Sequence, residues 1–102
     1  AEIEYLKLLN WKAATSETLD PAMASGTKVY GSEMYLRVYR WLLEVVGQAG
    51  YLRRGSPGAV LAGHLERAVQ GTLILTFGGG TNEIQRDLIA MFGLGMPRTP
   101  RM

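Results

Sequence analysis

Apolar residues recur along this chain at helical intervals, and nowhere do they alternate long enough to define a strand. Ile3, Leu6 and Leu9, with Leu8 and Trp11 beside them, are interleaved with Glu2, Glu4 and Asn10. This spacing predicts a helix through about Ala14. Residues 15–20 are polar and end in Asp20-Pro21, a strong helix start. The Asp20 carboxylate can accept from first-turn amides, and Pro21 suits the first helical position, where no amide partner is needed. One helix is predicted from there to about Val46. Met34, Val38, Trp41 and Val45 form a row, with Tyr35, Tyr39, Leu42 and Val46 alongside. So wide a stripe predicts burial on two sides. Gly26 and Gly31 each weaken this helix by about 1 kcal/mol against Ala, so we expect a neighbouring helix to approach closely there.

Residues 47–58 (GQAGYLRRGSPG) form a turn-rich break. Ser56-Pro57 is read as a second helix start of the Asp20-Pro21 kind, and Leu61, Leu65, Ala68, Val69 and Thr72 keep helical spacing. The β-prone stretch 72–77, TLILTF, leaves strand against helix open. Residues 78–80 are all glycine and stop whatever precedes them. Asn82 with Gln85 resembles a capping box, Thr81 being the alternative cap. Ile84, Leu88, Ile89 and Phe92 give the last helix its apolar face, which Gly93 and Gly95 end. The fold class predicted is all-α, a helical bundle of about four helices with no internal repeat.

Composition narrows the functional classes. The chain has 102 residues, 47% apolar and 20% charged, which excludes a disordered tail or a fibrous repeat. It is one small domain or a piece of a larger protein, with too little core to spare for a large pocket of its own. A net charge of +2, with no helix face dense in Lys or Arg, argues against nucleic acid. The lack of cysteine excludes disulfides and Cys-based metal sites, and no metal site is expected. No apolar run approaches the roughly 20 residues of a membrane span. The N-terminus has no basic leader before an apolar stretch, so no signal peptide is expected. It enters at once on a helical pattern, as a chain cut inside a longer protein would, and a cytoplasmic location is expected.

Several polar residues are ordinary surface features on this reading. The lone His64 is a surface or capping residue, and Glu66–Arg67 and Glu83–Arg86 are solvated or intrahelical pairs. Arg53-Arg54 could meet a phosphate but suits an exposed turn. Trp11 and Trp41 are core or interface anchors. Arg98 and Arg101 form a basic tail.

The most informative segment is 78–86, GGGTNEIQR. A glycine-rich turn leading into a capped helix presents amides at the positive end of a helix dipole, which suits a phosphate or another anion. This segment, continued as TNEIQRDLIA, resembles the signature near the C-terminus of acyl-CoA dehydrogenases, FAD-dependent enzymes that desaturate acyl-CoA thioesters between the α and β carbons. The resemblance runs through the whole chain. A helix with Trp11 comes first, then the long helix from Pro21, then GQAGY where the family usually has GGxGY. The tail IAMFGLGMPR is similar to the actinobacterial branch that acts in lipid and sterol breakdown.

The resemblance implies that residues 1–102 are part of the C-terminal helical-bundle domain, without the N-terminal helical and middle β domains. It implies a dimer or dimer of dimers, homo- or heteromeric, with an acyl-CoA substrate and an electron-transfer flavoprotein as acceptor. The bundle would cover its own FAD and reach the adenosine diphosphate end of a neighbour's. Flavin contacts map by position onto Thr81 and Glu83 in the last turn, and onto Gly47, Gln48, Gly50 and Glu44 at the GQAGY turn. Glu44 stands where the family has a neutral Gln, and Gln48 where it has glycine. Gly79 occupies a usual position of the catalytic Glu, so no catalytic residue is assigned in this chain. The base then lies on an upstream helix, or this chain is the non-catalytic partner or helical scaffold of a heteromer. The altered flavin positions favour the second. The isolated chain is expected to be inactive.

Overall fold

The computed structural model describes residues 1–98 and 100. Among them there are helices and turns and no strand, as the pattern predicts. The α-helices are α1 (Glu2–Thr15), α2 (Pro21–Val46), α3 (His64–Thr72) and α4 (Asn82–Leu88). Short 3-10 turns cover Gly47–Tyr51, Val60–Gly63 and Leu73–Thr76, and α4 runs on into a π-helical turn, Ile89–Gly93. The stretch left open between strand and helix is therefore helical. No helix among the described residues is long and apolar enough to cross a membrane.

The limits of α2 are the ones its end residues dictate. Asp20 Oδ1 accepts from the Ala22 amide at 2.9 Å, capping the first turn. At the other end Gly47 takes φ +76°, the left-handed conformation that terminates a helix without a Cβ penalty. Ser56-Pro57 behaves differently and does not start a helix. The Ser56 amide bonds Arg53 O and its own carbonyl accepts from Ala59 N, two turns in succession. Gly58 then leaves the helical region at φ +80°. Leu61 and Ala62 also adopt positive φ, 51° and 52°, before Gly63 at 73°. The helix begins only at His64.

The chain forms two compact units, Ala1–Gly31 with the residues from Gly79 onward, and Ser32–Gly78. In the first, α1 packs its Leu6 against Gly31, where an added Cβ would lie 3.4 Å from Leu6 Cδ1. The close approach expected at the α2 glycines is thus present at Gly31. It is absent at Gly26, where a Cβ would meet nothing within 4 Å. Tyr5 and Tyr30 meet edge to face, 5.0 Å between centroids. Val29 and Ser25 are buried, so α2 offers this unit a face of small residues.

The second unit closes around Met34, Leu43 and Leu65, each under 7% exposed. Gly50 is buried among them: a Cβ there would lie 3.0 Å from Leu43 Cδ2 and 3.3 Å from Val46 Cγ1. Gly63 abuts the Arg53–Arg54 backbone so closely that no side chain would fit.

The expected two-sided burial of α2 is not met within this chain. Trp41 is 52% and Val45 83% exposed, while Trp11 on α1 is 71% exposed. Large apolar residues exposed in this number mark a surface that associates, since monomers rarely show wide apolar patches. The isolated 102-residue chain should therefore self-associate. Sedimentation should give a mass above 11.2 kDa that rises with concentration. A concentration-independent monomer with a cooperative melt would contradict this.

Candidate functional site

The turn leading into α4 is built from residues 79–82. Gly79 and Gly80 both take positive φ, 72° and 97°, which reverses the chain at little steric cost only because neither has a Cβ. Thr81 follows in extended conformation, φ −61° and ψ 155°, and is the cap. Its Oγ1 accepts from the Ile84 amide at 3.2 Å, and its carbonyl accepts from the Gln85 amide at 3.0 Å. The structure thus selects Thr81 over Asn82 as the cap.

Asn82 does something else. It is 5% exposed, and its Oδ1 accepts from Lys28 Nζ at 2.6 Å. The same ammonium donates to Gly80 O at 2.8 Å. Gln85, the other half of the expected box, donates its side-chain Nε2 to Gly79 O at 3.0 Å. Both glycine carbonyls are therefore held by side chains. Lys28 is a contact of this turn that the sequence pattern does not report. It lies on the same helix face as Ser25 and Val29, both buried, where a lysine is out of place without a partner.

The sequence-predicted residues fall into two groups, one in each unit. Thr81 is half-buried and Glu83 is exposed in the first turn of α4. Gly79 faces open space, with nothing within 4 Å of a would-be Cβ. In the other unit, Glu44 and Gln48 are exposed and Gly47 is open, whereas Gly50 is filled from all sides by apolar side chains. Gly50 is a packing glycine. Among the described residues no three His, Asp or Glu side chains gather as metal ligands.

Two hollows accompany these groups. Arg53, Arg54, His64 and Arg67, separate in the sequence reading, line one hollow of about 250 Å³ with Glu66 and Gln70. Glu66 accepts from Gln70 Nε2 at 2.5 Å and sits 4.0 Å from Arg53 Nε. A larger hollow of about 660 Å³ is lined by Ile84, Leu88, Met91, Phe92, Pro97 and Arg98. Arg101 lies outside the described residues.

For a flavin dinucleotide, the two groups differ in chemistry. The α4 start offers the Thr81 hydroxyl proton, the positive end of a helix and a lysine ammonium close by, which suits a phosphate or ribose. The GQAGY turn offers the open backbone of Gly47 but sets the Glu44 carboxylate in the last turn of α2, where an anion is already disfavoured. The residues at the α4 start fit the group; Glu44 does not.

The described residues define an all-α chain with a long helix and a threonine-capped glycine turn before its last helix. The chain belongs to the acyl-CoA dehydrogenase family: the family described as acyl-CoA dehydrogenase, C-terminal domain, matches residues 1–94. It is 51% identical over 107 residues to acyl-CoA dehydrogenase FadE26 of Mycobacterium tuberculosis, covering 99% of this chain and 27% of that protein. Against FadE29 of the same organism, identity is 40% over 93% of this chain and 24% of the relative. Among solved structures, it is similar to a chain of the ChsE4-ChsE5 complex from Mycobacterium tuberculosis. The TM-score is 0.90 at 54% identity, over 97% of this chain and 26% of that one. The Tcur3481-Tcur3483 steroid ACAD gives a TM-score of 0.88 at 46% identity, over 96% of this chain and 26% of its own. The chain thus spans about a quarter of the length of the relatives it matches.

The turn geometry yields a prediction of its own. Gly79→Ala should destabilise the protein by about 1 kcal/mol, because positive φ disfavours any Cβ. Gly80→Ala should destabilise it more, since its Cβ would also lie 2.8 Å from Gln85 Nε2 and push that side chain off the Gly79 carbonyl. Thermal melts of the two variants should rank in that order.

Proposed function

We propose that this chain is the C-terminal part of one subunit of an FAD-dependent acyl-CoA dehydrogenase, working within a hetero-oligomer in the cytoplasm. The reaction is α,β-desaturation of an acyl-CoA thioester, with electrons passed on to an electron-transfer flavoprotein. The observation that carries the reading is the capped glycine turn at residues 79–82 in a domain of this family. Thr81 and Glu83 would hold the dinucleotide at this turn, Thr81 by its hydroxyl and Glu83 by its carboxylate. When bound, the flavin supplies the acceptor for the substrate's β-hydride. The α-proton must go to a carboxylate elsewhere in the assembly, since Gly79 has no side chain to take it.

The heteromeric assembly is supported by similarity to two solved complexes of unlike chains, ChsE4-ChsE5 and Tcur3481-Tcur3483. It is supported as well by the exposed Trp41 and Val45, which need a cover. Similarity to the Tcur3481-Tcur3483 steroid ACAD favours a thioester with a bulky sterol-derived acyl group.

A second reading makes this subunit the half without a complete site. Glu44 and Gln48 favour it, because they place a carboxylate and a side chain where the family keeps a neutral amide and a glycine.

Bound FAD per chain and turnover, measured together on the full-length assembly and on its Gly79→Glu variant, separate the two readings. Half a flavin per chain pair, with turnover unchanged by the substitution, supports the incomplete half. One flavin per chain, with turnover lost on substitution, rejects it, because a second carboxylate beside the thioester would raise the pKa of the more deeply buried one. The 102-residue chain alone should not reduce a dye acceptor with any acyl-CoA.

A further inference from the structure

We propose that Lys28 is the positioning residue of the α4 start, the group that holds Thr81 in the orientation needed to meet the dinucleotide. This rests on the flavin reading above. Lys28 Nζ donates to Gly80 O at 2.8 Å and to Asn82 Oδ1 at 2.6 Å, the acceptors immediately before and after Thr81. One ammonium therefore spans the residue whose hydroxyl is to meet the ligand.

The turn needs such a hold. Gly79 and Gly80 have positive φ and no side chains, so their own torsional preferences do not select one conformation. Gln85 restrains the Gly79 carbonyl, but it belongs to α4 and moves with it. Lys28 belongs to α2, more than fifty residues away in sequence, and ties the turn to a different helix.

The choice of residue also points beyond packing. A cation near a helix N-terminus opposes the helix dipole, so generic helix stability does not call for lysine here. An ammonium carries three donors and no acceptor, which lets it reach two oxygens at once and leaves a proton directed elsewhere.

The test uses the full-length subunit assembled with its partner chains. Lys28→Met, Lys28→Arg, Thr81→Val and the double variant Lys28→Met/Asn82→Leu are compared for melting temperature, FAD affinity, and kcat and KM. Lys28→Met should weaken FAD binding by about tenfold, the equivalent of about 1.4 kcal/mol of binding free energy. Lys28→Arg should recover most of that loss. The double variant also removes the Asn82 oxygen that Lys28→Met leaves without its ammonium, and FAD binding should stay weak in it. Wild-type FAD affinity in Lys28→Met, alongside weakened binding in Thr81→Val, would overturn the role of Lys28 and leave the flavin reading standing. Recovery of both stability and FAD affinity in the double variant would also overturn it, reducing Lys28 to a fold contact. Unchanged FAD affinity in Thr81→Val would overturn the flavin reading itself, and the role of Lys28 with it.

Discussion

A single ammonium contacts both sides of the turn that carries the candidate chemistry. Lys28 bonds Gly80 O and Asn82 Oδ1, and Asn82 is 5% exposed. Hydrogen bonds to a charged donor contribute about 1.5–3 kcal/mol, and a buried amide oxygen left without a donor costs about 1–3 kcal/mol. Against a domain stability of about 5–15 kcal/mol, such a contact is a sizeable share. The Thr81 cap and the Gln85 clasp are local to α4 and hold its first turn together. Lys28 connects that turn to α2 through hydrogen bonds of this strength.

The two halves of α2 meet different demands. Within residues 21–31, the small Ser25, Val29 and Gly31 let the backbone come close to its neighbours. Leu6 reaches within contact of Gly31, and Ala22 Cβ lies 3.1 Å from where a Gly93 Cβ would be. Residues 32–46 carry Trp41, Leu42 and Val45, all exposed, with Leu43 turned inward against Gly50 and Leu65. A helix that is apolar beyond the face it buries within its own chain is built to be covered by something else.

Much of this architecture was legible in the sequence because it depends on local chemistry. Asp20-Pro21 and Gly47 set both ends of α2, since a cap and a left-handed glycine act within one turn. The same reasoning failed at Ser56-Pro57, where Gly58 follows at once and Ser56 is drawn into two turns. Leu61 and Ala62 with positive φ were beyond reach, because nothing in a Leu-Ala pair predicts a conformation that such residues rarely adopt. The GGGTNEIQR segment was legible as a site, and its cap as one of two choices. Lys28 was not read as part of it, because its partners lie 52 and 54 residues away and no periodicity reports them.

The departures from the family pattern do not carry equal weight once the backbone is known. Gly79 sits at φ +72°, so glycine has a conformational reason to be there regardless of catalysis. The missing carboxylate is thus explained at least in part by the turn itself. Gly47 is likewise explained by ending α2, and Gly50 by the Leu43 and Val46 side chains packed on it. Glu44 has no such explanation. It is exposed, it has no backbone constraint, and it adds negative charge at the end of a helix where negative charge is disfavoured by about 0.3–1 kcal/mol. A residue that neither packing nor helix electrostatics calls for is the better indicator of altered function. The case for an incomplete flavin site at the GQAGY turn therefore rests on Glu44, with Gln48 beside it, more than on Gly79.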